Sequence, residues 1–290
     1  MFDDWECDSR TGTSGGLCVA VLAYEASETI SGVLSNVESV LHGELHRTAS
    51  VLVADDHSTD GTVDEALRWA DSPAAIDVAV RCNPCNLGYG GNQKAVIDWV
   101  VAHGFEYLVL MHGDAQHDPS EIPKLLAPVL ADEADAVFGA RTLEPGHARS
   151  GGMPLNRYLG NRGLTWVQNR LARVRFSEWH SGFRAYRVST LRAVDTQRLP
   201  DGFEFDCAMT LALLDQGARL AEVACTTRYG DEVSRVRVIP YGLRVLGLHA
   251  RHRYAAHVGS RRFARPSGRA AGSTPQLSKH RPHEAGLTRS

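Results

Sequence analysis

The residues from Tyr107 to Gln116 read YLVLMHGDAQ, a short apolar run that stops at polar side chains. The run from Tyr107 to Met111 has the length of one buried β-strand. Because it is continuously apolar, it is typical of a strand covered on both faces, as in a parallel sheet. Ligands of such sheets bind beyond the carboxyl ends of the strands, so we look for chemistry first between His112 and Gln116.

Similar apolar runs alternate with amphipathic helical patterns through the first half of the chain. This alternation is the signature of successive βαβ units, and it predicts an α/β fold with a doubly wound, mostly parallel sheet. The predicted strands are 17–24, 50–54, 76–81, 107–111 and 136–139, and the predicted helices are 28–41, 62–70, 92–102 and 121–130. Further along we predict a mobile Gly-rich loop at 142–153, helices at 155–173, 205–215 and 238–257, an irregular segment at 179–187 and a strand at 220–226.

Composition excludes several classes of protein. The 290 residues are 43% hydrophobic, which is enough to bury a sizeable core. The formal net charge of -3 argues against a nucleic-acid partner, since such proteins are usually strongly basic. The N-terminus reads MFDDWE, acidic where a signal peptide is basic, and no apolar run approaches the roughly 18 residues that span a bilayer. We therefore expect a cytoplasmic protein.

Two adjacent carboxylates follow the second predicted strand. Asp55 and Asp56 open the stretch DDHSTDGT at 55–62. Carboxylates in this place can accept hydrogen bonds from the base or ribose of a nucleotide, although Asp at such a turn also caps the following helix. We assign capping to Thr59 and Asp60, and we favour ligand contact for Asp55 and Asp56.

The third predicted strand leads into the glycine-rich stretch NLGYGGNQK at 86–94. Glycines allow a ligand to approach the backbone closely, and Lys94 adds a cation near the positive end of the next helix, which suits an anion. The stretch matches neither the G-x-G-x-x-G of dinucleotide-binding folds nor a P-loop. Taken alone, it is a weak sign of an anion site.

A metal site is the main prediction for the segment after Met111. Alternate side chains of an extended chain point the same way, so His112, Asp114 and Gln116 can converge on one ion. Asp and Gln oxygens suit Mg²⁺ or Mn²⁺ held mainly by substrate phosphates. His112, His117 and His180 raise zinc as an alternative, but these three histidines lack the H-x-x-x-H spacing of zinc sites.

These stretches, in this order, resemble the family-2 glycosyltransferases of the GT-A fold, and within them the dolichol- or polyprenyl-phosphate mannose and glucose synthases. The resemblance extends from about residue 17 to about residue 237. LAYE at 22–25 is similar to the family's first-strand Pro-x-Tyr-Asn, and DDHSTDGT is similar to its nucleotide-binding element. NLG at 86–88, with Lys94, resembles the loop that follows that element. FGAR at 138–141 resembles the family's Gly-x-Arg. HSGFRAYR at 180–187 resembles the acceptor-side Thr-Gly-Ser-Phe-Arg-x-Tyr-Arg, and GFEFD at 202–206 matches a recurrent family string.

The resemblance implies a single GT-A domain over residues 1–258. Its nucleotide-binding half covers about 17–141, its acceptor half about 142–237 and its C-terminal helix about 238–258. Residues 259–290 carry seven Lys or Arg against one Glu and almost no large apolar side chains. We predict a disordered basic tail there, either solvated or in contact with anionic lipid headgroups.

The resemblance also implies inverting transfer of a mannose- or glucose-type sugar from a GDP- or UDP-sugar, assisted by Mg²⁺ or Mn²⁺. Asp114 and Gln116 would hold the ion, with His112 in the place of the family's first Asp. Imidazole brings no negative charge, so we expect weaker Mg²⁺ binding than in relatives. Arg141 would stabilise the leaving diphosphate. The residues implied to bind the nucleotide sugar or its phosphates are Ala23, Tyr24, Glu25, Asp55, Asp56, Asn86, Gly88, Lys94, Arg162, Arg184 and Arg235.

The acceptor decides whether a base is needed. A hydroxyl must lose its proton to attack, so Glu204 or Asp206 would act as base, whereas a polyprenyl phosphate is already ionised. Because the later motifs resemble the lipid-phosphate branch, we favour the phosphate acceptor at the inner face of a membrane. The helix at 238–257 would supply lipid contact or pack onto the domain, and its apolar candidates are Ile239, Leu243, Leu246 and Tyr254.

Two other classes of function remain open. A nucleotidyltransferase shares the layered architecture and releases pyrophosphate, but the glycine- and arginine-rich first turn typical of such enzymes does not follow Leu22. A relative that binds sugar nucleotides without turnover is made conceivable by His112 at the metal site.

Overall fold

A mixed, mostly parallel sheet runs through the part of the chain that the computed structural model describes. The described residues are 6–9, 16–42, 49–72, 76–144, 146, 148, 151–227 and 238–263. They form eight strands in the order β1-β4-β3-β2-β5-β7-β6-β8. The strands are β1 Glu6–Ser9, β2 Leu17–Ala23, β3 Ala49–Asp55, β4 Val78–Cys82, β5 Tyr107–His112, β6 Ala136–Ala140, β7 Arg184–Arg187 and β8 Leu220–Ala224.

Eight α-helices accompany these strands in the described part of the chain. They are α1 Ile30–Leu41, α2 Thr62–Ala70, α3 Gly88–Ala102, α4 Ile122–Leu130, α5 Leu155–Ala172, α6 Val188–Leu191, α7 Phe205–Asp215 and α8 Val238–Phe263. None of the described helices is both long and apolar enough to cross a membrane.

Alternate residues of the central strands enter two separate hydrophobic cores. Val19 and Val21 of β2 pack with α1, α2 and α4 on one face of the sheet, while Cys18 and Ala20 pack with α3, α6 and α7 on the other. Every residue of β2 is buried, as expected for a strand covered on both faces. The predicted doubly wound α/β class is therefore confirmed.

The central strands bring the predicted site to one edge of the sheet. Strands β4, β3, β2 and β5 are mutually parallel, and Ala23 pairs with Asp55 while Leu22 pairs with His112. We call the edge where these four strands end the carboxyl edge. It carries the segments after β2, β3, β4 and β5 side by side, which is where parallel sheets bind ligands.

The predicted elements agree with the structure to within a few residues, but β1 and the short α6 were not predicted, and three predicted segments differ. The irregular segment at 179–187 ends in β7, which lies antiparallel between β5 and β6. Helix α3 begins at Gly88, four residues earlier than predicted, and α8 continues to Phe263, so residues 259–263 of the predicted disordered tail are helical.

The predicted domain boundaries stay predictions. Contacts between residues separate a unit ending at Arg253 from one that begins at Tyr254, a few residues before the predicted boundary at 258. Of the second unit, only its helical residues up to Phe263 are described. Residues 264–290 and Arg235 lie outside the described residues, as does part of the loop predicted at 142–153.

Candidate active site

The turn after β2 is tied to the turn after β3 by the side chain of Glu25. Its Oε1 accepts hydrogen bonds from the backbone N (2.9 Å) and Oγ1 (3.0 Å) of Thr59, and its own N donates to Oγ of Ser58 (2.8 Å). Ala23 is buried, whereas Tyr24 stands partly exposed at the carboxyl edge. Of these three predicted binding residues, Tyr24 is therefore placed best to touch a ligand, and Glu25 holds the turn.

Asp55 and Asp56 are both buried and both hydrogen-bonded within the protein. Asp55 accepts from the backbone N and Oγ of Ser58, and burial raises its pKa more than those bonds lower it. Asp56 accepts from the backbone N–H groups of Leu87 (2.8 Å) and Gly88 (3.0 Å). These contacts favour a role in holding the loops at the carboxyl edge over the direct ligand contact that we predicted.

The predicted anion site at Lys94 is wrong, because the protein itself occupies the start of α3. Lys94 is only 7% exposed, and its Nζ donates to Oδ1 of Asp201 (2.6 Å) and to the carbonyl of Leu199 (2.5 Å). The carbonyl of Asp201 also accepts from the N–H of Gly90 (2.6 Å). The glycines of this stretch therefore admit the segment around Asp201, and a Cβ at Gly90 would overlap it.

The remaining predicted residues of this loop lie at its surface. The side chain of Asn86 is exposed and its Oδ1 accepts from the N–H of Gly88 (3.0 Å). Gly88 has a φ of +80°, so its backbone conformation favours glycine whatever binds beside it.

The segment after β5 turns instead of staying extended. The strand ends at His112, Ala115 has a φ of +58°, and Oδ1 of Asp114 accepts from the backbone N of Gln116 (3.0 Å). The alternation from which we predicted that His112, Asp114 and Gln116 point the same way therefore stops at the strand end. Among the described residues, no group of three or more His, Cys, Asp or Glu side chains is placed to hold a metal ion.

The donors at this strand end nevertheless fit a hard divalent cation. Asp114 supplies a half-buried carboxylate, and His112 supplies an imidazole from the last position of β5. Mg²⁺ and Mn²⁺ sites in nucleotide enzymes commonly use one or two protein carboxylates and take their other ligands from water and phosphate. Asp114 and His112, together with Gln116, are the residues that would hold such an ion.

Arg141 is positioned at the end of β6 by a fully buried carboxylate. Its guanidinium and its backbone N both donate to Glu178, with Nε 2.8 Å from Oε1. Burial alone would raise the pKa of Glu178, but the charge and hydrogen bonds of Arg141 outweigh it and leave that pKa below its usual value. Glu178 also accepts from Nδ2 of Asn161 on α5 (3.0 Å), so the pair connects the sheet to this helix.

Arg141 follows β6 at the same edge of the sheet as His112, because β7 runs antiparallel to both β5 and β6. Burial, then His112 and Arg141, lower the pKa of His117 well below its usual value, and the His112 and His117 rings are 5.8 Å apart. Burial also lowers the pKa of His180 to about 3, to which Arg141 contributes. The carboxyl end of β5 and the end of β6 therefore meet around one polar centre.

A buried network connects this centre to α7. The hydroxyl of Tyr89 donates to Oδ2 of Asp206 (2.7 Å) and lies 3.2 Å from Nε2 of His112. Asp206 is paired with Arg184, whose Nε lies 3.6 Å from Oδ1. A Cβ at Gly182 would overlap both the Tyr89 hydroxyl and the His112 ring, so a larger residue there would have to displace these side chains.

Arg184 and Asp206 have no open face for a ligand, which corrects two predicted roles. Arg184 is 1% exposed, donates to the carbonyl of Ser181 (2.7 Å) and to Oγ1 of Thr210 (3.0 Å), and stacks over Phe138 at 4.4 Å. It is therefore a structural cation and not a phosphate ligand. Asp206 is buried with both oxygens in hydrogen bonds or the ion pair, which argues against its predicted role as a base.

Glu204 and Arg162 are two further predicted site residues, and neither belongs to the buried pair of Arg184 and Asp206. Oε2 of Glu204 is buried without a hydrogen-bond partner, and Arg244 lies 3.8 Å from it. Arg162 is exposed on α5, with its guanidinium 5.7 Å from the Tyr158 ring centre. Within the described part of the chain, the contact recorded for Arg162 is with Tyr158 on the same helix.

Sequence reasoning missed Tyr89, Glu178 and Gly182. Gly182 stands inside the acceptor motif and Tyr89 inside the glycine-rich stretch, so both lay in segments that we had singled out. Glu178 precedes that motif by two residues, and no local pattern marks it. A buried carboxylate close to a motif arginine is a signal that only the fold reveals.

This mostly parallel α/β sheet, with its polar site at the carboxyl edge, has the GT-A fold. The sequence model of glycosyl transferase family 2 matches residues 18–194. The chain therefore belongs to that family and is a hexosyltransferase.

Named relatives support the same class. An undecaprenyl-phosphate mannosyltransferase of Micrococcus luteus is 34% identical over 185 residues, which are 61% of this chain and 71% of the relative. A polyprenol monophosphomannose synthase of Mycolicibacterium smegmatis is 31% identical over 179 residues, 61% of this chain and 65% of the relative. Among solved structures, a glucosyl-3-phosphoglycerate synthase of Mycobacterium tuberculosis in complex with Mn²⁺, UDP and phosphoglyceric acid has a TM-score of 0.59 and 16% identity, covering 82% of this chain and 78% of its own. That likeness shows the shared fold.

Proposed function

We propose that this glycosyltransferase transfers a mannose- or glucose-type sugar, with inversion, from a GDP- or UDP-sugar to a polyprenyl phosphate at a membrane surface, assisted by Mg²⁺ or Mn²⁺. The observation that carries the proposal is the two-sided character of α5. One side of this helix touches the residue that fixes Arg141, and the other side is apolar and basic.

The inner side of α5 contributes to the polar centre. Asn161 donates to Glu178, and Thr165 and Gln168, four and seven residues further on, are buried. Residues at these spacings share one face of a helix. The inner face of α5 therefore lies directly behind the ion pair that holds Arg141.

The outer side of α5 suits an anionic lipid surface. Leu159 and Trp166 are 59% and 68% exposed, and Leu155 lies on the same face. The helix carries Arg157, Arg162 and Arg170 and has no acidic residue. Exposed Leu and Trp with Arg on one helix are typical of helices that lie in a membrane interface.

A second exposed apolar patch lies at the start of α8. Ile239 and Leu243, two of the four predicted lipid-contact residues, are largely exposed, while Leu246 is partly buried. Tyr241 of the same helix turn hydrogen-bonds His180 (2.7 Å), so this turn lies beside the acceptor motif.

The names of the two bacterial relatives support a polyprenyl-phosphate acceptor, and the Mn²⁺-bound synthase supports a divalent cation in this fold. Such an ion neutralises charge on the leaving diphosphate. Arg141, fixed by Glu178, would add positive charge at the same centre without moving during the reaction, which is how preorganised groups lower a barrier.

The direct test supplies purified protein with GDP-mannose, GDP-glucose, UDP-glucose or UDP-mannose, Mg²⁺ or Mn²⁺, and undecaprenyl phosphate in detergent. We expect nucleoside diphosphate and a glycosylated lipid phosphate in equal amounts. Pyrophosphate release from a nucleoside triphosphate would identify a nucleotidyltransferase instead. Calorimetric binding of sugar nucleotide with every acceptor left unmodified would identify a binding-only relative.

Glu204 distinguishes a phosphate acceptor from a hydroxyl acceptor. We expect Glu204→Gln to keep kcat within about threefold of wild type, because an ionised phosphate has no proton to lose. With a hydroxyl acceptor the same change would lower kcat by about 10²–10⁴-fold, as for loss of a general base. Initial rates at saturating donor, together with equal melting temperatures for the two proteins, decide between these outcomes.

The outer face of α5 is tested with vesicles. We expect Leu159→Ser together with Trp166→Ser to weaken binding to phosphatidylglycerol-containing vesicles by about tenfold or more, since each apolar side chain contributes about 1–2 kcal/mol at an interface. Leu130→Ser is the matched control, because Leu130 is a 48% exposed leucine on α4. Two results in co-sedimentation would contradict the proposed surface. The first is an equal loss of vesicle binding in the α5 double variant and in Leu130→Ser. The second is wild-type binding to pure phosphatidylcholine vesicles that is as strong as its binding to phosphatidylglycerol-containing vesicles.

A further inference from the structure

His112 ends β5 at the proposed cation site, and only one of its ring nitrogens has a described partner. Nε2 lies 3.2 Å from the hydroxyl oxygen of Tyr89. No described residue hydrogen-bonds Nδ1 of the same ring. A neutral imidazole carries one hydrogen, so the partner of Nε2 decides which nitrogen keeps a lone pair for a metal.

Tyr89 has already given its one hydrogen to another residue. Its hydroxyl donates to Oδ2 of Asp206 at 2.7 Å. Asp206 is in turn held by the Arg184 guanidinium at 3.6 Å and by Nε2 of Gln93 at 3.2 Å.

The direction of these bonds fixes the proton on His112. Because the Tyr89 hydroxyl donates to Asp206, its oxygen can only accept toward Nε2, which must therefore carry the imidazole hydrogen. Nδ1 is then the nitrogen with the free lone pair.

Packing holds the two rings against each other, so that the Tyr89 hydroxyl stays beside the His112 ring. The Tyr89 and His112 rings meet edge to face with centres 5.5 Å apart, and Tyr89 stacks on Phe203 at 5.2 Å. The backbone of Gly182 lies so close that a Cβ there would overlap both the phenol oxygen and the imidazole. The fold therefore holds the two rings in contact, and the hydrogen bond between Nε2 and the phenol oxygen selects the orientation of the imidazole.

We propose that Tyr89 is a positioning residue that, anchored by Asp206, holds His112 as the Nε2–H tautomer and so leaves Nδ1 as the nitrogen that ligates the divalent cation beside Asp114. The inference rests on the proposed cation site. An imidazole ligand suits Mn²⁺ better than Mg²⁺, which prefers oxygen, so the same arrangement makes this site select Mn²⁺.

The tautomer is measured first, on metal-free protein labelled with ¹⁵N-histidine. We expect the His112 signals, assigned by their loss in His112→Gln, to show hydrogen on Nε2 in wild type and a mixture of tautomers in Tyr89→Phe. Hydrogen on Nδ1 of His112 in wild type, or unchanged His112 signals in Tyr89→Phe, would overturn the proposal. Because no metal is present, this result does not depend on the cation site.

Cation binding is measured second, by Mn²⁺ titration in the presence of UDP or GDP, followed by electron paramagnetic resonance. We expect Tyr89→Phe to weaken Mn²⁺ binding by about 10- to 100-fold, as for loss of other residues that orient a metal ligand. Tyr186→Phe is the matched control: it removes a buried phenol that contacts Arg184 at 3.5 Å, and we expect it to leave Mn²⁺ affinity unchanged.

A double variant separates positioning from general damage. In a His112→Ala background, Tyr89→Phe should cause no further loss of Mn²⁺ affinity, since the two residues act through one contact. Equal losses with and without His112, or equal losses in Tyr89→Phe and Tyr186→Phe, would show a merely structural role and overturn the proposal. If wild type binds no Mn²⁺ with either nucleotide, the cation site itself fails, while the tautomer measurement still reports on Tyr89.

Discussion

Asp114→Asn is expected to lower kcat by about 100- to 1,000-fold, because the ion that it would hold is worth several kcal/mol of charge stabilisation at the leaving diphosphate. The carboxylate is half-buried after β5, and an amide keeps its size and its acceptor oxygen but removes its charge. The measurement is the rate of nucleoside diphosphate release at saturating sugar nucleotide, with Mn²⁺ varied from micromolar to millimolar.

Asp118→Asn is the matched control for this change. Asp118 lies four residues further on, and its Oδ1 accepts from the N–H of Ser120 (3.0 Å), a bond that asparagine can also make. We expect the control to retain wild-type turnover. Full turnover in Asp114→Asn at every Mn²⁺ concentration would remove Asp114 from the cation site.

Arg184→Met is expected to lower the free energy of unfolding by about 3–5 kcal/mol, since it leaves the buried Asp206 carboxylate without its ionic partner. Met fills most of the volume of the arginine stem, so the loss reports the missing charge and hydrogen bonds more than a cavity. Urea unfolding, followed by tryptophan fluorescence and circular dichroism together, measures the change.

Arg187→Met on the same strand provides the comparison. Arg187 is half-buried, and its ion pair is with the exposed Asp132 at 2.8 Å. Ion pairs of this kind contribute about 0–1 kcal/mol, so we expect a correspondingly small change. If both variants unfold at the same urea concentration, the buried pair does not stabilise the fold as we infer.

The sheet was predictable from sequence because most of its strands have a local sequence pattern that is typical of buried strands. β2, β3 and β5 are short, continuously apolar runs, and such runs between amphipathic helices allow few other folds. β7 was not predictable in this way. Its four residues begin and end with arginine, and only the buried partners of Arg184 explain why a charged residue lies at the centre of the molecule.

The candidate site was predictable in its location and less so in its roles. The strand ends identified Asp55, His112 and Asp114 as neighbours at one edge, which the register confirms for Asp55 and His112. The role of Lys94 was missed because its partner, Asp201, is more than a hundred residues away in sequence. The turn at Ala115 was missed because a positive φ at alanine leaves no mark in a sequence pattern.

The contact between Asp201 and the start of α3 has a consequence for protein engineering. The segment from Leu199 to Glu204 lies in the predicted acceptor half, yet Asp201 binds it to Gly90 and Lys94 of the predicted nucleotide-binding half. The predicted acceptor half therefore cannot be exchanged independently of the start of α3. A chimera that takes this segment from a relative needs a matching residue opposite Lys94, or it buries an ammonium group without its partner.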